Sequence, residues 1–576
     1  MSRDDGSVDP GTVEILRNRI RSVAEEMQVA VMNAAYSPIW QESGDLSCAV
    51  LDPSARIIGQ SERVIPVHIA TMTNSVSVAI ERTGGYEGLA EGDVLIQNDP
   101  YSGNNHLPDF VMAQPVFVDD ALMGFSSVRG HWIDVGGTSP TSYSTQTGEL
   151  IQEGLRVPPA KLYEAGERND ALFEVILANV RDRQERLGDM NAQLAGVRRG
   201  RERFAELCER RGVETVEGTV ETVLRNDERR MRNRIEEVPD GSYGAVDHID
   251  GDGIDDTPIE IRTTVTVDGD EIAIDFAGTD DQAEGGVNAP ISCTETASYY
   301  AVKVTLDPGP FATSGAYEPI SVAAPEGSVV NPRYPAPVVA GNHETTNRVY
   351  DVVVKAIAGI DPELAFGAGD GSANVFSYRS LRTKQINLAA YGGGMGACPT
   401  RDGINAIRSG IGNSGLQPIE RVEDEYDFVT VEEFSIATDS GGAGRNRGGN
   451  AQRRVIRFDD DTGITVVADR AKTQPFGVDG GQPGQSARHV HVDPDGDRHV
   501  LSSKATTEIG AGSRVLFQPA GGGGYGDPRA RSVDRVLSDV HDGYVSHEAA
   551  REEYGVVVDP ETDELDEAAT RSLRDE

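Results

Sequence analysis

The densest group of chemically reactive side chains lies in the segment NDPYSGNNHLPDF, residues 98–110. It contains His106 and Asp109, separated by two residues of which the second is Pro108. Pro108 disfavours a helical conformation at the residue before it, so we expect an extended turn that aims both polar side chains at one point. The next histidine, His131, follows the apolar run LMGFSSV, which predicts a strand that ends at a pocket.

Two imidazoles and a carboxylate form a facial set that can hold a divalent metal and leave positions open for water or substrate. His106, Asp109 and His131 are therefore the candidate ligands. Asp134 and Asp99 lie close in sequence and could hydrogen-bond a ligand or transfer a proton. The alternative is structural, because ten histidines in 576 residues produce chance pairs, and His and Asp in loops commonly form turns. Spacing alone leaves both interpretations open.

The sequence contains no motif for nucleotide binding or for serine hydrolase chemistry. Neither the phosphate-loop pattern G-x-x-x-x-G-K-[ST] nor the nucleophile elbow G-x-S-x-G occurs. The segment GGGMGA (392–397) matches G-x-G-x-x-A, but CPTRDG follows it in place of a helix start, so we interpret it as turn structure. Glycine is concentrated there and in DSGGAGRNRGG and PAGGGGYGDP, which predicts unusual backbone angles or close approach of a ligand.

Composition restricts the class of protein. The chain has 53 basic and 94 acidic side chains, a net charge of −41 and 38% hydrophobic residues. It is long enough for several cores, and no apolar run is long enough to span a bilayer. A charge of this sign repels nucleic acid phosphates and anionic lipid, so we expect neither nucleic acid nor membrane as a partner. The N-terminal segment has no secretory leader pattern, which predicts a cytoplasmic protein.

The basic residues are unusual in kind, because only six of the 53 are Lys. Many carboxylates with few Lys keep a protein surface hydrated in concentrated salt, where repulsion between like charges is screened. We therefore infer a halophilic protein. The four cysteines lie far apart in sequence and predict neither a zinc cluster nor a disulfide framework.

Periodicity predicts a multidomain α+β protein with mixed sheets, helical segments and a β-rich C-terminal region. An amphipathic helix is expected over residues 9–36, with Asp9 as N-cap and Pro10 at the first helical position. We expect strands between 46 and 134 and mainly strands over 425–520, with hairpins around Asp268-Gly269 and near 490–501. We expect Arg-rich helices over 166–236, further helices at 292–306 and 344–360, and a helical tail from Ser532.

These elements suggest three regions. Residues 1–236 form an N-terminal α/β region with the candidate metal site and the Arg-rich helices. Residues 237–425 form a central α+β region, and residues 426–576 a β-rich region with a helical tail. The two boundaries are placed where polar segments with Pro or Gly interrupt the pattern.

Nine segments follow one another in a characteristic order: QSERVIPVHIATM, QNDPYSGNNHLPDF, RGHWIDVGG, QEGLRVPPAKL, NVRDRQERLGDMNAQLAGVRRG, IDFAGTDDQAEGGVNAP, GNHETTNRVYD, DSGGAGRNRGG and PAGGGGYGDP. Together they resemble the hydantoinase B/oxoprolinase family. That family includes the B subunit of ATP-dependent N-methylhydantoinase, the C-terminal part of 5-oxoprolinase, and the large subunit of acetone and acetophenone carboxylases. So many segments in series are far more specific than any one of them.

The resemblance implies a metal site. In the carboxylases a related His-x-x-Asp and a later His hold a divalent metal, and the matching positions here are His106, Asp109 and His131. Manganese or zinc is the implied metal. We assign Asp134 to ligand support or proton transfer and include His68 as a further catalytic candidate. The family often reads Gly-Gly-Thr before the first His, where this chain has residues 103–105 as GNN, a difference that would alter the pocket.

The resemblance also implies a partner. Family members work with a separate A subunit of actin-like ATPase fold, which phosphorylates an amide or imide oxygen. This chain would then be the B subunit of a hetero-oligomer that opens a hydantoin or a 5-oxoproline-like lactam, with ATP used by the hydantoinase A-type partner. Two alternatives stay open: a component of an acetone- or acetophenone-type carboxylase, and a non-catalytic scaffold for the ATPase.

The acid-rich, Lys-poor composition predicts a dependence on salt. In dilute buffer the repulsion among 41 net negative charges is unscreened, so the melting temperature should rise from low salt to molar KCl. Calorimetry over that range measures the effect. A melting temperature that stays flat contradicts the inference of a halophilic protein.

Overall fold

The computed structural model describes residues 8–41, 44–62, 65–139, 142–309, 312–408, 410–412 and 417–575. The chain forms two compact units, the first of residues 1–242 and 265–342, and the second of residues 243–264 and 343–576. The mixed α+β fold with a β-rich C-terminal half agrees with the prediction. The boundary that we predicted near 237 lies close to the first passage between the units, and the one near 425 lies inside the second unit.

The first unit begins with a helix that the sequence identifies. The Asp9 carboxylate accepts hydrogen bonds from the backbone N–H groups of Gly11 (3.1 Å) and Thr12 (2.9 Å), and Pro10 is the first helical residue. The helices of this unit are α1 (Pro10–Ala34), α2 (Pro38–Gln41), α3 (Ile69–Arg82), α4 (Leu150–Glu153), α5 (Asp170–Ala178), α6 (Arg183–Arg211), α7 (Val213–Glu236) and α8 (Ile291–Leu306). The region 166–236, predicted to hold Arg-rich helices, contains α5, α6 and α7, and the arginines lie in α6 and α7.

A seven-stranded antiparallel sheet forms the centre of the first unit. Its strands are β1 (Leu46–Leu51), β2 (Ile57–Gln60), β3 (Val94–Gln97), β4 (Asp109–Val118), β5 (Ala121–His131), β6 (Ala160–Glu164) and β7 (Glu167–Arg168). Their order across the sheet is β2-β1-β5-β4-β3-β6-β7, so the long hairpin β4–β5 lies near the middle.

Helices cover both faces of this sheet. Cys48 and Val50 of β1 belong to the core that contains residues of α1 and α6, whereas Ala49 and Leu51 pack with residues of α3. Successive residues of a strand point to opposite faces, so β1 is buried along its whole length. Double coverage explains why the central strands β4 and β5 are buried at nearly every position and do not alternate between buried and exposed residues.

The chain then runs through β8 (Gly241–Ile249), β9 (Ile259–Asp268), β10 (Glu271–Asp275) and β11 (Ile320–Ala323). The hairpin predicted around Asp268-Gly269 is present as β9 and β10, and Gly269 takes the positive φ of 62° that the tight turn needs. Strand β11 pairs with β10 in parallel.

The second unit contains two antiparallel sheets that share an apolar core with Phe376, Phe458 and Phe517. One sheet has the order β13-β12-β16-β19 and the other β14-β15-β20-β17-β18. The strands are β12 (Val375–Ser380), β13 (Ile386–Ala390), β14 (Val429–Ile436), β15 (Gln452–Phe458), β16 (Thr462–Val467), β17 (Arg488–Val492), β18 (Arg498–Val500), β19 (Lys504–Ile509) and β20 (Arg514–Gln518). The helices are α9 (Glu344–Ile360), α10 (Ile419–Glu425), α11 (Val533–His541), α12 (His547–Glu552) and α13 (Glu567–Asp575). In the described part of the chain, no helix has both the length and the apolar character that a membrane span requires.

Glycine-rich segments of the second unit pack backbone against backbone. A Cβ atom at Gly394 would lie 1.8 Å from the carbonyl oxygen of Gly449, and one at Gly522 would lie 2.1 Å from that of Met395. Gly522 N–H donates to Gly449 O (2.9 Å), and Gly449 N–H donates to Met395 O (2.8 Å). None of these three glycines has a positive φ. The close approach that the composition predicts is therefore between backbone segments at these positions, and it involves no positive φ.

The same unit contains a buried ion network. Arg348 contacts Asp351 (3.1 Å) and Asp469 (2.8 Å), and Arg470 contacts Asp351 (2.7 Å) and Asp247 (3.0 Å). Burial raises the pKa of Asp351 well above its usual range, although the charge of Arg348 opposes this shift. Each buried carboxylate has a cationic neighbour, as burial of charge requires.

The glycine packing predicts a sharp difference between two Gly→Ala variants. Gly394→Ala places a methyl group on a backbone carbonyl and should destabilise the second unit by about 3 kcal/mol. Gly510→Ala is the matched control, because a Cβ there meets no atom within 4 Å. Amide hydrogen exchange in residues 391–397 and 519–525 measures local opening. Equal exchange in the two variants would contradict the backbone packing.

Candidate metal centre

Strand pairing brings two of the three predicted ligands together. Strand β4 begins at Asp109, β5 ends at His131, and the two residues are direct partners in the antiparallel register. Directly opposed residues in an antiparallel pair point to the same face of the sheet. The hairpin therefore places this carboxylate beside this imidazole where the two central strands start and end, and both side chains are buried.

The turn before β4 adds the third ligand. The N–H of Asp109 donates to the carbonyl of His106 (3.2 Å), which folds the His106 ring back over the start of the strand. His106 Nε2 and His131 Nδ1 each lie 2.9 Å from Asp109 Oδ1. One nitrogen or oxygen atom from each of the three residues lies within 4.8 Å of the other two. The structure thus gathers the predicted set around one point.

The hydrogen bonds of His106 decide which of its nitrogens can bind a cation. Nδ1 lies 3.1 Å from the carbonyl oxygen of Val339, and a carbonyl only accepts, so Nδ1 carries the hydrogen. In the neutral ring Nε2 then directs a lone pair toward Asp109 Oδ1, which is also an acceptor. Two acceptors at 2.9 Å repel each other unless a proton or a metal cation lies between them. The donor set of nitrogen and carboxylate atoms fits a divalent metal.

The second oxygen of Asp109 is held from the opposite side. Oδ2 accepts a hydrogen bond from Asn105 Nδ2 (2.5 Å) and lies 3.2 Å from His68 Nε2. His68 Nδ1 lies 2.8 Å from Ser47 Oγ, which also accepts the N–H of Ile65 (3.1 Å). Both ring nitrogens of His68 are therefore engaged, and its contact with the site is through Asp109.

Electrostatics keep Asp109 ionised. Burial by itself raises the pKa of Asp109, but the interactions with His106, His131 and His68 hold that pKa well below its usual range. Burial lowers the pKa of His68. Burial also lowers the pKa of His131, but the hydrogen bond to Asp109 and the charge of Asp45 outweigh it and raise the pKa above its usual value. Asp109 is a carboxylate at neutral pH, the form that binds a cation.

A buried guanidinium accompanies the site. Arg129 lies two residues before His131 in β5 and shares its face of the sheet. Its Nη2 donates to Thr71 O (2.8 Å) and Ser75 Oγ (3.0 Å) of α3. Burial lowers the pKa of Arg129 to about 10, an effect that the charge of Asp109 opposes. Arg129 is still cationic at neutral pH, so it offsets the negative charge of Asp109.

The other predicted carboxylates have separate partners. Asp134 pairs with the guanidinium of Arg181 and accepts the N–H of Arg181 (2.8 Å) and of Gly136 (3.4 Å). Asp99 pairs with Arg156 (2.7 Å). In the described part of the chain, these hydrogen bonds connect Asp134 with Arg181 and Gly136 and not with His106, Asp109 or His131. Its role in proton transfer stays a prediction.

Glu153, which no sequence pattern indicated, contacts the segment that binds His106. Its Oε1 accepts the N–H groups of Val338 (2.9 Å) and Val339 (2.9 Å), and the carbonyl of Val339 accepts His106 Nδ1–H. Burial raises the pKa of Glu153 to about 8. The segment QEGLRVPPAKL contains this residue, but nothing in it indicates a contact with residues 338–339.

The chain is similar to known proteins over most of its length. Over residues 9–528 the chain matches the family described as Hydantoinase B/oxoprolinase. It is 31% identical to the putative D-/L-hydantoinase B subunit of Pseudomonas sp. (strain NS671), and the match covers 98% of each chain. It is 30% identical to the beta subunit of caprolactamase from Pseudomonas jessenii over 99% of each chain.

Two solved structures resemble the whole chain. The crystal structure of the ATP-dependent caprolactamase from Pseudomonas jessenii has a TM-score of 0.90 at 28% identity, covering 99% of this chain and 100% of that chain. Nucleotide-free acetone carboxylase has a TM-score of 0.86 at 21% identity, covering 98% of this chain and 82% of that chain, and shares the fold. The resemblance seen in the sequence is confirmed, and the chain belongs to the Hydantoinase B/oxoprolinase family.

Proposed function

We propose that this chain is the B subunit of an ATP-dependent cyclic amide hydrolase, which opens a hydantoin or a 5-oxoproline-like lactam after a hydantoinase A-type ATPase has activated the ring amide. The observation that supports it most directly is the buried convergence of His106, Asp109 and His131. Two relatives, one named as the B subunit of a hydantoinase and one as the beta subunit of a caprolactamase, support the reaction class and the division into subunits.

Each residue of the centre has a role in this proposal. His106, Asp109 and His131 would hold a divalent metal, manganese or zinc, which supplies Lewis-acid chemistry and makes water a better nucleophile at neutral pH. His68, engaged by Ser47 and Asp109, positions the carboxylate. Asp134 is the proposed proton-transfer group.

The use of ATP is assigned to the partner, because the sequence has no phosphate-loop motif. The caprolactamase whose structure matches this chain is described as ATP-dependent. Active protein is therefore a hetero-oligomer of this chain and the ATPase. The cytoplasmic location predicted from the N-terminal segment and the adaptation to salt predicted from composition both stay predictions.

Turnover with the partner tests the function. We expect the chain co-purified with its ATPase to open one or more rings in a panel of hydantoins, 5-oxoproline and caprolactam, with ATP consumed and no need for bicarbonate. The chain alone should be inactive and bind ATP poorly. Turnover of a ketone that requires bicarbonate would instead identify a carboxylase component. No turnover of either kind, with stimulation of the partner's ATPase, would support the scaffold alternative.

Metal content tests the ligand assignment. Ala at His106, Asp109 or His131 should lower bound manganese or zinc at least about tenfold by elemental mass spectrometry, while the circular dichroism spectrum stays unchanged. His499→Ala, an exposed histidine of the second unit, is the control and should keep its metal.

Asp134→Asn separates proton transfer from ligand binding. Because Asp134 pairs with Arg181 outside the ligand set, this variant should keep most of its metal and lose activity. Full metal in His131→Ala, or loss of metal in Asp134→Asn, would contradict the assignment.

A further inference from the structure

A carboxamide lies directly beside the ligand atoms of the centre. Asn342 Nδ2 is 3.4 Å from Nε2 of His106, the nitrogen that faces Asp109. The Asn342 side chain is largely buried and belongs to the same compact unit as the three candidate ligands. The metal-ligand pattern of the sequence predicts neither Asn342 nor Asn105, which donates a hydrogen bond to it.

The hydrogen-bond network determines which end of the Asn342 amide faces the centre. The backbone N–H of His106 donates to Asn105 Oδ1 (2.9 Å), so the other end of the Asn105 amide is its NH₂ group. That group donates one hydrogen to Asp109 Oδ2 (2.5 Å) and the other to Asn342 Oδ1 (3.0 Å). Both amide hydrogens of Asn105 are thus used, and the oxygen of Asn342 faces Asn105 instead of the candidate ligands.

The amide nitrogen of Asn342, Nδ2, can only donate hydrogen bonds. An amide nitrogen has two hydrogens and no available lone pair, so Nδ2 cannot be a metal ligand. With Nδ1–H donating to Val339, His106 Nε2 is an acceptor that lies within reach of Asn342 Nδ2, and a cation bound at Nε2 would take up its lone pair. Because Asn342 Nδ2 lies 3.4 Å from His106 Nε2, its hydrogens are within reach of an acceptor atom of a molecule bound next to the ligand atoms.

We propose that Asn342 is a catalytic residue that donates a hydrogen bond from Nδ2 to the oxygen on the ring carbon under attack, and that Asn105 positions it. This assignment rests on the proposed ring-opening function and adds a substrate contact to it. A hydrogen-bond donor at this place selects a ligand that presents an oxygen acceptor to the centre, as a cyclic amide or imide does through its carbonyl. This hydrogen bond orients the ring carbon for attack. It becomes stronger as negative charge develops on the oxygen during the reaction.

Two variants test the donor. Asn342→Ala removes the amide, and Asn342→Asp keeps its shape and its bond from Asn105 but replaces the donor by an acceptor. Asn18→Ala, an exposed amide on α1, is the matched control. Three quantities are measured: bound metal, kcat/KM for ring opening with the ATPase partner, and the Kd of acetohydroxamate for the manganese-loaded chain without the partner. Acetohydroxamate presents a carbonyl oxygen to a divalent metal and needs no ATP.

We expect both Asn342 variants to keep their metal, to lose at least about tenfold in kcat/KM, and to bind acetohydroxamate about tenfold more weakly than wild type. Asn18→Ala should match wild type in all three. Unchanged kcat/KM and unchanged acetohydroxamate affinity in Asn342→Ala would overturn the proposal. Loss of metal in proportion to activity would also overturn it, because Asn342 would then only maintain the ligands.

The two proposals fail in different ways. If the wild-type complex opens no ring but the Asn342 variants still weaken acetohydroxamate binding, the ring-opening function is wrong and the donor assignment stands for another oxygen ligand. If the wild type opens a ring and Asn342→Ala does so equally well, the donor assignment is wrong and the function stands.

Discussion

The candidate centre depends on one buried carboxylate. Asp109 is almost completely shielded from water, and a carboxylate in that position is stable only if its oxygens are compensated. Oδ1 faces the two candidate imidazole ligands, and Oδ2 is held by Asn105 and His68. The turn before β4, the segment before α3 and the end of β5 must therefore all be in place before the centre exists.

Different constraints operate in the second unit. There, glycines allow backbone segments to approach to distances that any side chain would prevent, and the paired charges of Arg348, Arg470 and their carboxylates are buried nearby in the same unit. The high glycine content and part of the acidic excess thus have structural reasons of their own. Neither feature requires a ligand, which is why the glycine-rich segments resembled nucleotide-binding loops only superficially.

Much of the local structure followed from the sequence. Asp9 and Pro10 marked the start of α1 because capping chemistry is local. The turn at Asp268-Gly269 marked the β9–β10 hairpin for the same reason. The three candidate ligands were also visible as candidates, because Pro108 limits the backbone between His106 and Asp109 and because His131 ends an apolar strand, and the family resemblance then favoured the metal interpretation over a structural one. These signals depend on neighbours within a few residues, so no knowledge of the fold was needed.

What the sequence by itself determined, then, was the element types, the family and the identity of the three candidate ligands. Only the tertiary structure decided that β4 and β5 pair Asp109 with His131, that Val339 accepts a hydrogen bond from His106, that Glu153 binds the backbone of Val339, and that Asn342 lies beside His106. Val339 and Asn342 lie more than two hundred residues from His106 in the chain. Contacts of that separation are set by how helices and sheets pack, and the polar residues that make them have no periodic signal in the sequence.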